Sequence, residues 1–180
     1  MTRQSPVILR NFIAILLLLN CMMSAYAQDI DAGSELGSSN FAELSQSGND
    51  HFIQSGQFGS NHILQVQQNF QSNHLQSFQN GNNHQIIASM DGINNAIAVQ
   101  QFGESQYAEL YQNGLENQIL LIQQGYANNT NIYQLGQNNS AQVMQHGNEN
   151  LTSIHQEGYG LQAVVIQTGY AQTASVWQYN

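Results

Sequence analysis

Lysine is absent from the chain, arginine occurs only at Arg3 and Arg10, the one cysteine is Cys21 and the one proline is Pro6. All of them fall within the first 21 of 180 residues. Each absence excludes something. Phosphate backbones are gripped by clustered cations, so nucleic acid is excluded as a partner. With no cysteine after Cys21, no disulfide can staple the rest of the chain, and its stability must come from another source. Lysine and proline are common means of blunting an exposed sheet edge, and neither occurs after Arg10. The eleven acidic residues begin at Asp29 and meet no basic residue beyond it.

The N-terminus carries both arginines, then the apolar run "NFIAILLLLN", then "AYAQ". A charged start, a short apolar core and an Ala-x-Ala ending at Ala27 predict a secretory signal peptide over residues 1–27. A membrane anchor would need about 20 apolar residues, and this run is shorter. Lipid attachment at Cys21 is a further reading, but Asn20 stands where such a signal carries a small residue.

What the chain does have is a ruler. Stepping by eleven from Gln46 gives Gln57, Gln68, Gln79, Met90, Gln101, Gln112, Gln123, Gln134, Gln145, Gln156, Gln167 and Gln178. Two places further on stand Gly48, Gly59, Phe70, Gly81, Gly92, Gly103, Gly114, Gly125, Gly136, Gly147, Gly158 and Gly169. Eleven of the fifteen glycines therefore share one column, which scattered Gln-rich low complexity does not produce. Numbering the Gln as position 1, position 6 holds His51, His62, Asn73, His84, Asn95, Gln106, Asn117, Asn128, Asn139, Asn150, Leu161 and Gln172. Positions 8 and 10 hold small or aliphatic residues such as Ile97 and Val99, or Ala141 and Val143.

An eleven-residue period also suits a right-handed coiled coil. A glycine in every unit argues against that, since each costs a helix roughly 1 kcal/mol relative to alanine. Positions 6, 8, 10 and the next Gln are two apart, the period of a strand with one buried face. Positions 2 to 5 read as the turn. Each unit is then a strand of about seven residues and an arc, and two units close one coil. Position 11 supports a 22-residue rung. Alternate units place Tyr111, Tyr133, His155 and Trp177 there, and the units between place Ile122, Met144 and Ile166. The expected fold is all-β: residues 1–27 as leader, 28–45 as a non-repeat segment, and 46–180 as a β-solenoid of about six two-strand rungs.

In such a solenoid equivalent residues stack about 4.7–4.8 Å apart. Stacked amides satisfy one another, rung to rung, because each carries donors and an acceptor. The Gln column, with Asn95, Asn117, Asn128, Asn139 and Asn150, is the candidate ladder, and the Gly column is the candidate turn. His51, His62 and His84 replace Asn in that ladder; no cysteine or carboxylate joins them as metal ligands. Asp50, Asp91, Glu104, Glu116, Glu149 and Glu157 occupy turn positions and Glu109 an outward strand position. They serve solubility, or guard against premature assembly. The last unit, "ASVWQYN", brings no cap, and an open edge invites another copy.

These residues resemble the curlin family, whose repeats run Ser-x5-Gln-x-Gly-x-x-Asn-x-Ala-x3-Gln. "QLGQNNSAQVMQ" (Gln134–Gln145) matches the second part of that pattern residue for residue. The resemblance implies a subunit of extracellular curli amyloid fibres at the bacterial surface, in biofilm and adhesion. It implies self and other curlin subunits as partners, together with a secretion channel and chaperones. "SELGSSNFAELS" (Ser34–Ser45) looks like the segment before the repeats of minor, nucleating curlins, and the Gly-rich export segment of the major subunit is absent. Minor curlins carry basic residues in their terminal repeats, and this chain departs from them there.

Two other readings compete with the minor subunit: the major fibre subunit, and a monomeric extracellular adhesin or ice-binding solenoid. Ice binding favours a regular outward threonine array, which Thr130, Thr152 and Thr173 do not supply. An enzyme needs positioned acids, bases or a metal in a cleft. The carboxylates here are scattered over turns, so no catalytic residue, metal ligand or cofactor is expected.

Overall fold

The computed structural model describes residues 39–180, and the leader and residues 28–38 lie outside the described residues. The described part holds thirteen strands and no helix. In chain order they are β1 (Phe41–Asn49), β2 (Phe52–Ser60), β3 (Ile63–Gln71), β4 (His74–Asn82), β5 (Gln85–Ile93), β6 (Ala96–Glu104) and β7 (Tyr107–Leu115). Then follow β8 (Gln118–Tyr126), β9 (Asn129–Gln137), β10 (Ser140–Asn148), β11 (Leu151–Tyr159), β12 (Gln162–Tyr170) and β13 (Thr173–Tyr179).

Odd strands form one parallel sheet and even strands the other. Every pairing joins residues 22 apart, as in Gln112↔Gln134 and Gln123↔Gln145. The chain is thus a β-solenoid of about six turns with 22 residues per rung. Strict alternation explains the core between the sheets. In β7, Ala108, Leu110 and Gln112 are buried, and Glu109 points to solvent. The aliphatic layer runs from Leu64 to Val165 and is only two residues deep on each side.

Two details differ from the pattern expected of the units. Most strands span nine residues rather than seven, because the glycine column stays in register within the ladder, as in Gly114↔Gly136. The chain bends at two left-handed residues instead of a long arc. One is the position 3 glycine, such as Gly114 (φ 124°); the other is position 5, such as Glu116 (φ 56°) or Ala127 (φ 52°). The second difference is the start. Strand β1 begins at Phe41, inside the segment read as non-repeat, and pairs with β3 through Ala42↔Leu64, Leu44↔Val66 and Gln46↔Gln68.

Candidate functional site

Three devices repeat along the solenoid, and each is built from one column. The glutamines come first. In the even sheet Gln57, Gln79, Gln101, Gln123 and Gln145 each donate from Nε2 to Oε1 of the glutamine one rung on, at 2.8–3.0 Å, ending at Gln167. The second Nε2 hydrogen goes to a backbone carbonyl of the facing sheet, as from Gln123 to Tyr107 O at 2.9 Å. These amides are wholly buried from Gln79 to Gln123, so their mutual bonding removes what would otherwise be a desolvation cost.

The odd ladder is the same but interrupted. Gln46 donates to Gln68, and the run Gln112, Gln134, Gln156, Gln178 is continuous at 2.8–2.9 Å. Between the two segments stands Met90, fully buried, whose sulfur lies 3.9 Å from Gln68 Nε2. A thioether donates nothing, and Gln112 Oε1 is left buried without a partner.

The position 6 column works differently from an amide-to-amide ladder. Asn95, Asn117 and Asn139 accept at Oδ1 from the backbone N–H of the residue one rung on, at 3.0–3.1 Å. Their Nδ2 groups donate to two backbone carbonyls at the corner, one of them that of a glycine, as from Asn117 to Gly136 O at 2.9 Å. Asn128 follows the same rule, and Asn150 does so except that its Nδ2 bonds Asn128 Oδ1 at 3.0 Å in place of one corner carbonyl. The asparagines therefore clamp the corner backbone. His62 and His84 reproduce this: each Nε2 faces a corner carbonyl, and each Nδ1 faces the next rung's backbone N–H at 3.3 Å. That geometry calls for the neutral ring with its proton on Nε2. Burial, and secondarily the stacked His62 ring at 4.9 Å, hold the His84 pKa below its ordinary 6.5, although the bond to Asn80 O works the other way.

The glycine column is set by close approach. A Cβ on Gly59, Gly81, Gly92, Gly103, Gly114, Gly125, Gly136 or Gly147 would fall 1.8–2.1 Å from the carbonyl oxygen of the glycine one rung on. A Cβ on Gly48 would meet Phe70 O in the same way, one on Gly158 would meet the side-chain Oδ1 of Asn180, and one on Gly169 would meet only Gln172 Nε2 at 3.5 Å. Phe70 occupies this column only by adopting a different φ, 78°.

The structure adds residues that the columns alone did not single out. Asn40 stands eleven residues before His51 and accepts from His62 N–H at 3.0 Å, so the clamp begins one unit before Gln46. The repeat spacing, carried back one step, is the signal that finds it. Thr130 and Thr152 are buried at position 8, and their hydroxyls donate across the core to Gln145 and Gln167 Oε1 at 2.9 and 2.8 Å. Outside, the aromatic stripe that position 11 already marked, Tyr111, Tyr133, His155 and Trp177, forms one stack with ring centroids 4.6–4.9 Å apart.

Residues 147–179 match the family model of the curlin associated repeat. This segment carries a curlin associated repeat. The matched segment is continuous in register with the rest of the solenoid, so the curlin repeat and the ladders are one array. No curated protein and no solved structure matches the chain. Among its described residues no group of three His, Cys, Asp or Glu could hold a metal ion. The surfaces left for chemistry between molecules are the edges. Among the described residues no strand pairs with the outer edges of β1, β2, β12 and β13.

Proposed function

We propose that this curlin-repeat protein is a non-enzymatic structural subunit of an extracellular amyloid fibre, and that it templates the assembly of further curlin subunits at the cell surface. The observation that carries this reading is the polarity of the glutamine ladders. Each ladder donates in one direction only, so Gln178, whose Nε2 has a second hydrogen beyond its bond to Gln162 O, ends as a donor at one edge and Gln46 as an acceptor at the other, while Gln167 Nε2 donates to Leu151 O and Gln172 O. Such ends complement each other, and a contact between unlike ends of one molecule generates an open filament. A monomeric adhesin has no use for that complementarity. The leader predicted over residues 1–27 suits export, and the segment Ser34–Ser45 supports the nucleating role.

The test is seeded assembly. Small amounts of this protein, added to a soluble curlin partner, should shorten the lag of thioflavin fluorescence and yield fibres with spacings near 4.7 and 10 Å. A protein that stays monomeric at high concentration over days overturns the fibre reading. One that forms fibres itself but leaves the partner's lag unchanged overturns the nucleating role alone.

A further inference from the structure

The described residues hold an odd number of strands, and this has a geometric consequence for how one copy follows another. Strands alternate between the two sheets, so the described solenoid both begins and ends in the odd sheet. The C-terminal edge is therefore a step, with β13 half a rung above β12. Strands of a sheet lie about 4.8 Å apart. Suppose an incoming copy kept the same orientation, with its β1 on β13. Its β2 would then stand about 9.6 Å above β12, two strand spacings away. A whole strand would be missing from the even sheet, leaving the N–H and C=O groups of β12 and β2 unpaired beside an opened core. Turned by half a turn about the axis, the same copy places β1 on β12 and β2 on β13, and both sheets continue without a gap.

We propose that consecutive copies of this chain join by that half-turn, with β1 and β2 of the incoming copy on β12 and β13, so that the two outer faces alternate from copy to copy. The proposal rests on the fibre reading above. The side chains fit the join. On β12 the inward residues Ala163, Val165 and Gln167 meet Ala42, Leu44 and Gln46; on β13, Gln178 meets Gln57. Gln178 sets a donor against the Gln57 acceptor, and Gln167, whose Nε2 donates to Leu151 O and Gln172 O, meets Gln46 as the equally bonded Gln145 meets Gln167 inside the ladder. On the outer face Trp177, 70% exposed, comes over Gly56, and Tyr179 comes over Phe58, which already packs on Phe78 at 5.4 Å. In the unturned join the same two rings would meet Ser45 and Ser47. The half-turn forfeits one corner bond, since Leu161 offers Asn40 no side-chain acceptor, whereas the unturned join forfeits a strand. The chain also breaks pattern at the right place. One unit before β1, positions 8 and 10 are Asp31 and Gly33 instead of small or aliphatic residues.

Disulfide trapping in the full chain carrying Cys21→Ser decides the question. Strand neighbours in register have the Cα separation that a disulfide needs. The pair Glu43→Cys with Val164→Cys faces across the half-turn join, and Glu43→Cys with Ser175→Cys faces across the unturned one. A third pair, Gln54→Cys with Ser175→Cys, tests the half-turn independently on β2 and β13. Glu43, Val164 and Ser175 are exposed, so the fold tolerates the changes. After assembly and oxidation, the first and third pairs should give covalent dimers, trimers and higher multimers on a denaturing gel, and the second should stay monomeric. Trapping by the second pair, equal trapping by all three, or fibres with no trapping at all overturns the half-turn. If the Cys21→Ser parent itself forms no sedimenting, thioflavin-positive fibre, the fibre reading fails, and the join fails with it.

Discussion

A side-chain amide has a donor end and an acceptor end, and the glutamine column uses both in one direction. That makes a single wrong residue legible. Met90 interrupts the odd ladder, and Gln112 Oε1 pays for it by losing its donor. Met90→Gln restores an acceptor for Gln68 and a donor for Gln112 at nearly the same volume. The guanidinium midpoint should rise by the equivalent of about 1–3 kcal/mol, the cost of a buried unsatisfied polar group. The opposite change in the intact ladder, Gln101→Met, should lower it by a similar amount. Histidine in the asparagine column carries a different liability. His84 bonds as a neutral ring and its pKa is held below 6.5, so an unfolded chain binds a proton there more readily than the solenoid does. Its contribution to stability is whole above about pH 6.5 and is lost as the pH falls from there towards the lowered folded value. In His84→Asn the denaturation midpoint between pH 7 and 5 should depend less steeply on pH than in the parent. Parallel profiles for the two proteins would show that His84 titrates alike in both states.

At the scale of the element, each corner joins two left-handed residues with opposite tolerance. Gly114 cannot accept a side chain, because a Cβ there would sit 1.9 Å from Gly136 O. Ala127 already bears one at φ 52°. Two swaps of the same pair of residues should therefore move stability in opposite directions. Gly114→Ala should destabilise by about 2–3 kcal/mol or more, combining backbone strain with a clash that the next rung cannot yield to. Ala127→Gly should stabilise by on the order of 1 kcal/mol by relieving a conformation that costs alanine. Thermal melts of both variants check this. The strand, its inward face and the 22-residue rung were legible in the sequence, because burial has a period of two and the aromatic stripe alternates between units. The atoms of the clamp were not. Spacing shows that Asn117 and Gln112 both point inward. It does not show that Gln112 bonds a neighbouring amide and Asn117 the backbone, because that depends on where in the rung the amide sits: Gln106, at position 6, clamps the corner backbone as the asparagines do. Nor does spacing separate Thr130 from the alanines of its column, since only the fold brings Gln145 Oε1 across the core to its hydroxyl.

On the scale of the whole molecule, the solenoid is a stack in which every rung supports the next, and only the two ends differ. On the fibre reading growth acts there, because the interior strands are already paired on both edges. Gln167, Gln172 and Gln178 all lie near the C-terminal edge, but the structure separates them. Gln172 turns its amide back on the chain, accepting from Thr168 N–H at 3.0 Å and donating to Thr168 O at 2.9 Å. Gln167 and Gln178 accept from the rung below and, with no glutamine above them among the described residues, donate only to backbone carbonyls, Gln167 to Leu151 O and Gln172 O and Gln178 to Gln162 O. Gln167→Leu with Gln178→Leu keeps much of the bulk and removes the donors. Each incoming amide oxygen then becomes buried without a partner, at about 1–3 kcal/mol apiece. Because 1.4 kcal/mol is a factor of ten, elongation from such seeds should slow by about tenfold or more. Gln172→Leu, which touches an amide already closed on Thr168, should leave the rate within about twofold of the parent's, a gap under half a kcal/mol. The comparison uses identical monomer, equal seed mass and lag times read by thioflavin fluorescence. Equal slowing by both variants would mean that bulk at the corner governs growth, and no slowing by either would place the growing edge at β1 and β2.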